Sequence, residues 1–473
     1  MEQVLRVTSP NAIPRPPSHD GDLRTVDLVV IGTGPGGESL TAQAARAGLD
    51  VVAVEKHLVG GECPYYGCIP SKIMLRAAET LAEARRAEAI AGDVDVRPDW
   101  RRVAERISTE ATDGWSDTAA VIRLQQAGAT VLHGHGRLAG PHQVEVEHPD
   151  GRTTRYSART GIILNPGTRP ALPTIDGLAA TPYWTNRDAV QTRTLPRSVI
   201  VLGGGATAAE LAQAIARFGA DVTIVETGTR LLKREEPEAS EALRMALEND
   251  GIRVLLGSHT MRVDYDGAFT VSLRDGALLQ AERLLLAAGR TPNLEDIGLE
   301  TLNLAPESVQ VGDDLTIGDR LWLIGDAAGQ GAYTHVSMHH SEIVHRQILG
   351  LAGQTTASPV VPRVTFTDPE IAAVGLTEDQ ARASGLAVAS AHADLGSRGF
   401  THGEGARAGF VKLVADTQRQ ALVGATAVGP YAGEVLSMLA LAVHAEVPIA
   451  KLKSMIYAYP TFHRAVSAAL TDL

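Results

Sequence analysis

The fold is decided by the stretch Val26-Asp27-Leu28-Val29-Val30-Ile31, followed directly by Gly32-Thr33-Gly34-Pro35-Gly36-Gly37. Its apolar run is typical of a buried parallel strand, because such strands are covered on both faces. In the loop, Gly32 fits a tight turn, Gly34 lets the backbone approach a pyrophosphate, and Gly37 lets the next helix pack closely on the strand. An alanine-rich helix follows, and the next strand ends in Glu55, which can bind ribose hydroxyls. The stretch therefore predicts a dinucleotide whose diphosphate lies at a helix N-terminus.

The same unit recurs in the middle of the chain. A strand over residues 198–202 leads into the loop Gly203-Gly204-Gly205-Ala206-Thr207-Ala208, and Glu226 ends the strand after the next helix. Gly203 and Gly205 stand at the positions of the first two glycines, while Ala208 replaces the third, which is a permitted variant. Two such units in one chain predict two bound dinucleotides.

The acid of the second unit bears on the choice of nicotinamide cofactor. Glu226 can accept hydrogen bonds from a ribose 2′-hydroxyl and would repel a 2′-phosphate. Arg230, Lys233 and Arg234 follow shortly after, and they keep NADPH open as an alternative. The sequence predicts NADH as the preferred donor.

Both cysteines of the chain, Cys63 and Cys68, lie just after the first unit, within the segment 60–72. Residues five apart on an ideal helix are separated by about 7.5 Å along the axis, whereas a disulfide needs Cα atoms within roughly 4.4–6.8 Å. We therefore expect Cys63 in an irregular lead-in and Cys68 in the first helical turn. A helix N-terminus favours the thiolate, so the pair predicts a reversible dithiol/disulfide couple rather than two buried apolar residues.

Composition excludes several classes of protein. The net charge of −12 argues against a partner nucleic acid. No apolar run reaches the length of a membrane span, no signal peptide is evident, and two cysteines exclude a structural disulfide framework, so a cytoplasmic location is expected. Three histidines, His335, His339 and His340, share one predicted helix without a carboxylate or cysteine cluster, which indicates a polar helix face and no metal site.

Further motifs complete the pattern. GTGPGG, GECPYYGCIPSK, GGGATAAE, AAGRTPN, LIGDAAG and FTDPEIAAVGLTE occur in this order. Over about residues 25–473 the chain resembles the flavoprotein disulfide reductases, the family of dihydrolipoamide dehydrogenase, glutathione reductase and mercuric reductase. The resemblance implies an α/β fold with two doubly wound Rossmann-like dinucleotide-binding domains and an α+β C-terminal dimerisation domain.

The resemblance also assigns boundaries and partners. We expect a flexible N-terminal tail (1–24), an FAD-binding domain (25–159 and 281–350), an NAD(P)H-binding domain (160–280) and a dimerisation domain (351–473). The expected cofactors are FAD and NADH, and the expected partners are a second copy of the chain and a small-molecule electron acceptor.

Residue roles follow from the resemblance as well. Cys63 would meet the outside substrate, Cys68 would lie against the flavin as a charge-transfer thiolate, and hydride from the nicotinamide would reduce their disulfide through the flavin. Lys72 and Glu210 would form an ion pair near the flavin N5. The residues predicted to bind cofactors are Gly32, Gly34, Gly37, Glu55, Gly61, Lys72, Gly136, Gly203, Gly205, Glu210, Glu226, Gly289, Asp326 and Thr334.

The C-terminal segment departs from the family pattern. Dithiol-directed members carry His-Pro-Thr with a glutamate three residues on, whereas this chain has Tyr459-Pro460-Thr461 and then Arg464. A tyrosine with a pKa near 10 is a poor proton shuttle at neutral pH, so efficient turnover of lipoamide or glutathione disulfide is not expected. Tyr459 and His463, one helical turn further on, are the predicted catalytic residues besides the two thiols; His463 either substitutes as the base or is a displaced surface or interface histidine.

These features predict an FAD-dependent NAD(P)H oxidoreductase that passes electrons through Cys63–Cys68 to a nonstandard acceptor, namely a quinone, a metal ion or an unusual disulfide. With a tyrosine at position 459 the C-terminal segment also resembles that of mercuric reductase. That family, however, adds a C-terminal cysteine pair, and this sequence has no third cysteine. The alternatives are a mercuric- or copper-type metal-ion reductase, a dihydrolipoamide dehydrogenase-like enzyme and a low-turnover thiol redox sensor.

Overall fold

A computed structural model describes residues 23–351 and 360–473. The predicted flexible tail lies outside the described residues except for Leu23 and Arg24, which begin the first strand instead. The domain boundaries stay predictions.

The strands of the described residues are β1 (Leu23–Ile31), β2 (Val51–Glu55), β3 (Thr130–His133), β4 (His135–Leu138), β5 (Gln143–Glu147), β6 (Thr153–Leu164), β7 (Thr168–Pro170), β8 (Ser198–Leu202), β9 (Asp221–Val225), β10 (Arg253–Leu255), β11 (Thr260–Tyr265), β12 (Phe269–Leu273), β13 (Leu278–Ala281), β14 (Arg283–Leu286), β15 (Arg290–Pro292), β16 (Thr316–Gly318), β17 (Leu321–Leu323), β18 (Arg363–Thr365), β19 (Glu370–Gly375), β20 (Val388–Asp394), β21 (Phe410–Asp416) and β22 (Ala421–Gly429).

The α-helices are α1 (Pro35–Arg46), α2 (Glu62–Tyr65), α3 (Cys68–Ile90), α4 (Trp100–Arg106), α5 (Thr118–Gln126), α6 (Asn186–Gln191), α7 (Ala206–Arg217), α8 (Pro237–Asn249), α9 (Thr334–Ile348), α10 (Glu378–Ala383), α11 (Gly396–His402), α12 (Glu404–Arg407), α13 (Ala432–His444), α14 (Ile449–Ser454) and α15 (His463–Thr471).

The first sheet is built around β1. It has the order β16-β17-β6-β1-β2-β3, with β4 and β5 attached to the side of β6. Strands β17, β6, β1, β2 and β3 are parallel to one another, whereas β16 is antiparallel to β17 and β5 is antiparallel to β6. The carboxyl ends of the parallel strands therefore meet at one edge, where a doubly wound sheet binds its ligand.

The next sheets along the chain correspond to the second predicted dinucleotide-binding unit and to the predicted C-terminal domain. A parallel sheet, β10-β9-β8-β14, repeats the opening unit, and an antiparallel sheet, β11-β12-β13, lies beside it. The C-terminal sheet, β18-β19-β22-β21-β20, is antiparallel, and α13 and α15 pack on it through a shared apolar core. The α/β prediction is confirmed.

The sequence prediction was wrong about one helix. The stretch from Trp100 to Gln126 is rich in Ala, Arg and Glu and predicts a single helix, but α4 ends at Arg106, continues as a π-helical turn over Ile107–Ala111, and is separated from α5. The cause lies in Asp113, Gly114 and Trp115, which all have positive φ angles (48°, 66° and 60°). A right-handed helix cannot continue through such a run.

Candidate active site

The two thiols lie on separate helices that meet at a sharp turn. Cys63 belongs to the one-turn helix α2, and Cys68 is the first residue of α3, with Gly67 between them. The expected helical start at Cys68 is present, whereas the lead-in containing Cys63 is helical rather than irregular. Both residues are free thiols of intermediate burial. The break between α2 and α3 removes the geometric obstacle that one continuous helix would pose.

The surroundings of the thiols favour charge on Cys68. A hydrogen bond from the Cys63 thiol, opposed by burial, lowers the pKa of Cys68 to about 6, and the Thr334 hydroxyl and the Lys72 ammonium contribute to this lowering. Thr334 Oγ1 lies 3.4 Å from Cys68 Sγ. The same pairing raises the pKa of Cys63, which therefore keeps its proton. In the reduced pair, Cys68 is the thiolate and Cys63 is the hydrogen-bond donor.

The predicted Lys72–Glu210 pair is formed, and it joins three segments of the chain. Lys72 Nζ on α3 lies 2.8 Å from Glu210 Oε2 on α7. The Glu210 side chain is only 7% exposed, and its other oxygen accepts a hydrogen bond from the backbone N–H of Phe366 at 2.8 Å. The ammonium also lies 4.7 Å from the centroid of the Phe366 ring, within range of a cation–π contact.

One cavity of about 1460 Å³ connects most of the predicted site. The predicted residues that line it are Gly32, Gly34, Glu55, Gly61, Cys63, Cys68, Lys72, Gly136, Glu210, Asp326 and Thr334. The predicted residues that do not line it are Gly37, Gly203, Gly205, Glu226, Gly289, Tyr459 and His463.

The first glycine loop forms a cradle that side chains would fill. Gly32 has a φ of 90°, and a Cβ there would collide with the carbonyl of Asn165. A Cβ on Gly61, where φ is 69°, would lie 2.7 Å from the Cα of Gly34. Gly37 packs against the same loop, and a Cβ there would lie 2.8 Å from Asn165 Nδ2. Gly34 and Pro35, at the N-terminus of α1, line the cavity, and a helix N-terminus is a favourable place for a diphosphate.

Two acids face the same cavity as this cradle. Glu55 is 7% exposed, and its carboxylate accepts hydrogen bonds from the Thr33 N–H, the Thr33 hydroxyl and the His57 N–H at 2.8–2.9 Å. Burial raises the pKa of Asp326, and the Thr168 hydroxyl donates to it at 3.4 Å. Both carboxylates have lone pairs left for ligand hydroxyls. Together with the glycine cradle, these two carboxylate acceptors fit a flavin dinucleotide.

The second glycine loop is open toward a ligand. A Cβ on Gly205 would meet no heavy atom within 4 Å, so the space beside the N-terminus of α7 is unfilled by protein. Glu226 accepts a hydrogen bond from the Gly228 N–H at 2.5 Å and reaches back beneath the loop, where a Cβ on Gly204 would lie 2.8 Å from its Oε2. Gly289, with a φ of 122°, forms the turn between β14 and β15.

The guanidinium of Arg230, the first basic residue after Glu226, is hydrogen-bonded to groups of the protein itself. Arg230 donates through Nη1 to the carbonyl of Glu235 at 2.6 Å and to the Ser240 hydroxyl at 3.1 Å. Its Nη2 donates to the carbonyl of Lys233 at 2.9 Å. The guanidinium is thereby held by local acceptors.

Sequence reasoning missed several residues of the site. Asn165 is 6% exposed and donates through Nδ2 to the carbonyls of Gly32 and Gly34, so it braces the first glycine loop. A signal for it existed, because it is the polar residue directly after the buried strand β6, beside β1. Ser337 on α9 abuts the same loop at Gly36.

Glu62 was also missed, although an acid directly before the first thiol is a visible feature. Its carboxylate accepts hydrogen bonds from Arg187 Nη2 at 2.7 Å and from Asn186 Nδ2 at 3.1 Å. Burial opposes its charge, yet these donors hold the pKa of Glu62 below its usual value. The Arg187 guanidinium also stacks over Tyr66, with its carbon 4.7 Å from the ring centroid. The loop between the thiols is thus tied to α6.

The two predicted catalytic residues of the C-terminus do not line the cavity that contains this chain's thiols. Tyr459 is 72% exposed, close to Ile456, which is 98% exposed. His463 begins α15 and lines a separate cavity of about 330 Å³ together with Arg398 and Glu434. Within the described residues its Nδ1 is buried and has no hydrogen-bond partner.

The described ranges contain neither a membrane-spanning helix nor a cluster of metal-ligating side chains. No helix within residues 23–351 and 360–473 is long and apolar enough to cross a membrane. In the same ranges, no group of three or more His, Cys, Asp and Glu side chains is placed to hold a metal ion.

Comparison with known proteins identifies the family. Residues 26–342 match the pyridine nucleotide-disulphide oxidoreductase family, and residues 361–470 match the dimerisation domain of the same family. The chain belongs to the pyridine nucleotide-disulphide oxidoreductases, the flavoprotein disulfide reductase family that its motifs resemble. It is accordingly an NAD(P)H-dependent flavoprotein oxidoreductase that uses FAD.

Named relatives are similar along nearly the whole chain. A dihydrolipoyl dehydrogenase of Chlorobaculum tepidum is 33% identical over 94% of this chain and 96% of its own length. A mercuric reductase of Shigella flexneri is 32% identical over 93% of this chain and 79% of its own length. Among solved structures, the HOCl-induced flavoprotein disulfide reductase RclA of Escherichia coli, determined as a Cu(II) complex, has a TM-score of 0.84 at 24% identity, covering 95% of this chain and 99% of RclA. This likeness confirms the predicted architecture of two Rossmann-like domains and a dimerisation domain.

Proposed function

We propose that this protein is a homodimeric, NADH-dependent reductase that sends two electrons through FAD to Cys63–Cys68 and then to a small-molecule acceptor other than lipoamide or glutathione disulfide. The observation that carries the proposal is the thiol pair itself. Cys68 is held as a thiolate beside Thr334, while Tyr459 replaces the histidine expected of dithiol-directed members.

The chain's own residues would hold and tune the cofactor. The loop Gly32–Gly37 and Glu55 would bind the adenosine half of FAD, and Asp326 would bind hydroxyls nearer the flavin. When bound, FAD supplies the chemistry that links a hydride donor to a disulfide. Lys72 would present its ammonium beside the flavin, held in place by Glu210 at 2.8 Å.

The preference for NADH rests on two side chains. Glu226 places a carboxylate under the second glycine loop, where a ribose 2′-hydroxyl would bind and a 2′-phosphate would be repelled. The Arg230 guanidinium is already bonded to two backbone carbonyls and a serine hydroxyl, so it is not free to bind a phosphate. We expect kcat/KM for NADH to exceed that for NADPH by at least about tenfold.

Homodimer formation is supported by the C-terminal domain, which matches the family's dimerisation domain and exposes Ile456, Tyr459 and Leu441 by 98%, 72% and 63%. Exposed apolar surface of this kind is typical of an interface. A pair of free thiols suits a reducing compartment, and we place the protein in the cytoplasm.

A metal-ion reductase is the second candidate. A thiolate beside a second thiol offers the soft ligands that mercury or copper ions prefer. The mercuric reductase relatives and the Cu(II)-bound RclA share this fold.

An acceptor panel tests both candidates. Purified holoenzyme would be assayed with NADH and, in turn, lipoamide, glutathione disulfide, small alkyl and aryl disulfides, quinones, and copper and mercury ions. The proposal predicts Cys63-dependent turnover on at least one acceptor, abolished in Cys63→Ser, and little turnover of lipoamide. Turnover of lipoamide at a rate comparable with the best acceptor, or activity unaffected by Cys63→Ser, would overturn it. Reduction by NADH without turnover on any acceptor would instead indicate a redox sensor.

A further inference from the structure

We propose that His340 is a positioning residue for the flavin: its imidazole holds the turn that carries Asp326, and thereby keeps the Asp326 carboxylate in place to bind FAD. The inference rests on the proposed function, because it takes Asp326 as a cofactor-binding residue. His340 enters the argument through its burial, its hydrogen bond to the turn and the tautomer that this bond requires.

His340 lies on the buried side of α9. The sequence predicts a polar face for the three histidines of this helix, but His340 is 0% exposed. Helix α9 packs against α1, which begins directly after the first glycine loop. Ser337, three residues before His340 and on the same side of α9, abuts that loop, since a Cβ on Gly36 would lie 2.4 Å from its hydroxyl oxygen. The helix face that carries His340 is therefore the one that packs on the cofactor loop.

The imidazole is hydrogen-bonded to the turn that follows β17. The Gly325 N–H donates to His340 Nδ1 at 3.2 Å. Gly325 has a φ of 72°, and a Cβ there would lie 2.5 Å from Asn165 Oδ1 and 3.0 Å from Ser337 Oγ. The turn is thus enclosed by the end of β6 and by α9. Asp326 is the next residue and lines the large cavity, so fixing Gly325 fixes the point from which the Asp326 side chain extends.

This hydrogen bond determines where the ring carries its proton. A backbone N–H only donates, so Nδ1 keeps a lone pair and Nε2 carries the proton of the neutral imidazole. Burial, with a smaller contribution from His339, lowers the pKa of His340 to about 4. The ring is therefore neutral at neutral pH, and its Nδ1 is available as an acceptor.

The other ring nitrogen shows that stability does not account for a histidine at this place. Nε2 of His340 is buried and has no hydrogen-bond partner within the described residues. A buried donor without an acceptor costs free energy, and an apolar side chain of similar size would avoid that cost. An apolar side chain would, however, offer no acceptor to the Gly325 N–H. The bond to the turn is what the histidine supplies.

Two other roles for His340 do not fit its surroundings. It is not among the residues that line the cavity of the thiols, so it is not placed to touch the cofactor or to exchange protons with Cys63 or Cys68. Within residues 23–351 and 360–473, no group of three or more His, Cys, Asp and Glu side chains is placed to hold a metal ion. Its position therefore favours an action through Gly325.

The consequence for the cofactor passes through Asp326. Burial raises the pKa of this carboxyl group, so its charged form gains from hydroxyl donors of a bound ligand. Without the Nδ1 acceptor, the Gly325 N–H is left unpaired in the interior, and the turn has to shift before it finds another partner. Asp326 shifts with the turn. We expect the loss of a buried hydrogen bond of this kind to weaken FAD binding by about tenfold.

The test compares two substitutions that imitate different ring nitrogens. In His340→Asn the side-chain oxygen can take the place of Nδ1 and accept the Gly325 N–H, whereas His340→Gln places its amide near the position of Nε2 and leaves Gly325 unpaired. Val344→Ala, at a 0% exposed position of the same helix, is the control for lost packing. Holoenzyme is diluted, and FAD release is followed by the rise in flavin fluorescence. We expect His340→Gln to release FAD about tenfold faster than wild type, and the other two variants to stay within about twofold.

A double-variant cycle shows whether Asp326 carries the effect. Asp326→Asn alone should release FAD faster than wild type, and adding His340→Gln should change this rate little, because the carboxylate that His340 positions is gone. Additive effects of the two substitutions, or equal release from His340→Gln and His340→Asn, would overturn the positioning role and leave the proposed function intact. Release that Asp326→Asn does not change would instead overturn the proposed role of Asp326 in binding FAD, and the inference with it.

A measurement on the wild-type ring does not depend on whether His340→Gln folds. In enzyme whose histidines carry an NMR-active nitrogen label, the ring signals that disappear in His340→Asn belong to His340. At neutral pH these signals should show a neutral ring protonated on Nε2. A ring protonated on Nδ1, or on both nitrogens, would overturn the inference, because Nδ1 would then have no lone pair for the Gly325 N–H.

Discussion

Replacing Lys72 by methionine should raise the pKa of Cys68. Lys72 lies one helical turn beyond Cys68 on α3, and its ammonium is among the groups that hold the pKa of that thiol at about 6. Methionine keeps the length of the side chain and removes the charge. The thiol itself, Cys63 and Thr334 are left unchanged.

The size of the effect follows from the helix geometry. Side chains one turn apart are separated by about 6 Å, and at an effective dielectric constant of about 20 two unit charges at that distance interact by about 2.8 kcal/mol, or about two pKa units. The Lys72 side chain is 36% exposed, so water screens part of this interaction, and about one unit remains. We therefore expect the pKa of Cys68 to move from about 6 to about 7.

The assay follows the ultraviolet absorbance of the thiolate in reduced enzyme against pH, with Cys68→Ser as the blank. Lys72→Arg keeps the charge and should titrate close to wild type. In Lys72→Met the unpaired Glu210 adds to the rise, so Lys72→Met/Glu210→Gln should show a smaller shift than the single variant. A Cys68 titration unchanged in Lys72→Met would refute the electrostatic role of the lysine and leave the hydrogen bond from Cys63 as the main cause.

The remaining predictions concern the frame around the thiols. Lys412 is 7% exposed and lies 2.8–3.2 Å from three carboxylates, including the buried Glu236. Lys412→Met should therefore lower the free energy of unfolding by about 3–5 kcal/mol, because it leaves buried carboxylates without their partner. Arg382→Met removes an exposed ion pair of the same cluster and should lower the free energy of unfolding by less than about 1 kcal/mol. Urea titrations in which Lys412→Met and Arg382→Met lost equal free energies of unfolding would contradict the role of burial. Gly61→Ala forces a Cβ to within 2.7 Å of the Gly34 backbone at a positive φ, so the purified variant should retain less FAD and lose about 1–3 kcal/mol of stability; a wild-type flavin-to-protein ratio would argue against the tight cradle.

Local features of the site could be predicted because each is encoded within a few residues. The loop Gly32–Gly37 and the acid Glu55 form one strand–loop–helix–strand unit, so their spacing alone predicts the ligand. The helix start at Cys68 could be anticipated because Gly67 directly precedes it. Asn165 could have been found by the same logic, as a polar residue at the carboxyl end of a buried parallel strand.

Features that join distant segments could not be predicted from local pattern. The Arg187–Glu62 bridge links residues 125 positions apart, and the bond from Phe366 N to Glu210 spans 156 positions. No local sequence pattern indicates which residues form these two contacts, because the pairing depends on how the domains pack. The interruption of the helix after Arg106 was missed for a different reason: two of the three residues with positive φ, Asp113 and Trp115, are not glycines.

One face of α7 shows how the packing of domains sets the thiol chemistry. Glu210, Gln213 and Arg217 are three and four residues apart, so their side chains lie on the same side of the helix. All three contact the loop between β18 and β19: Glu210 accepts from Phe366 N, Gln213 exchanges two hydrogen bonds with the backbone of Asp368, and Arg217 bonds the Asp368 carboxylate.

This helix face fixes the carboxylate that holds Lys72. Arg217 is 5% exposed, and its charge is matched by the carboxylates of Asp250 and Asp368, both at 2.9 Å. Breaking these buried ion pairs is costly, so the contact between α7 and the loop is firmly held. Because Glu210 is anchored on one side by this loop, its other oxygen meets Lys72 at a defined place, and the ammonium is thereby positioned beside Cys68. The charge on the Cys68 thiol therefore depends on contacts made by the C-terminal domain, far along the chain from the two cysteines.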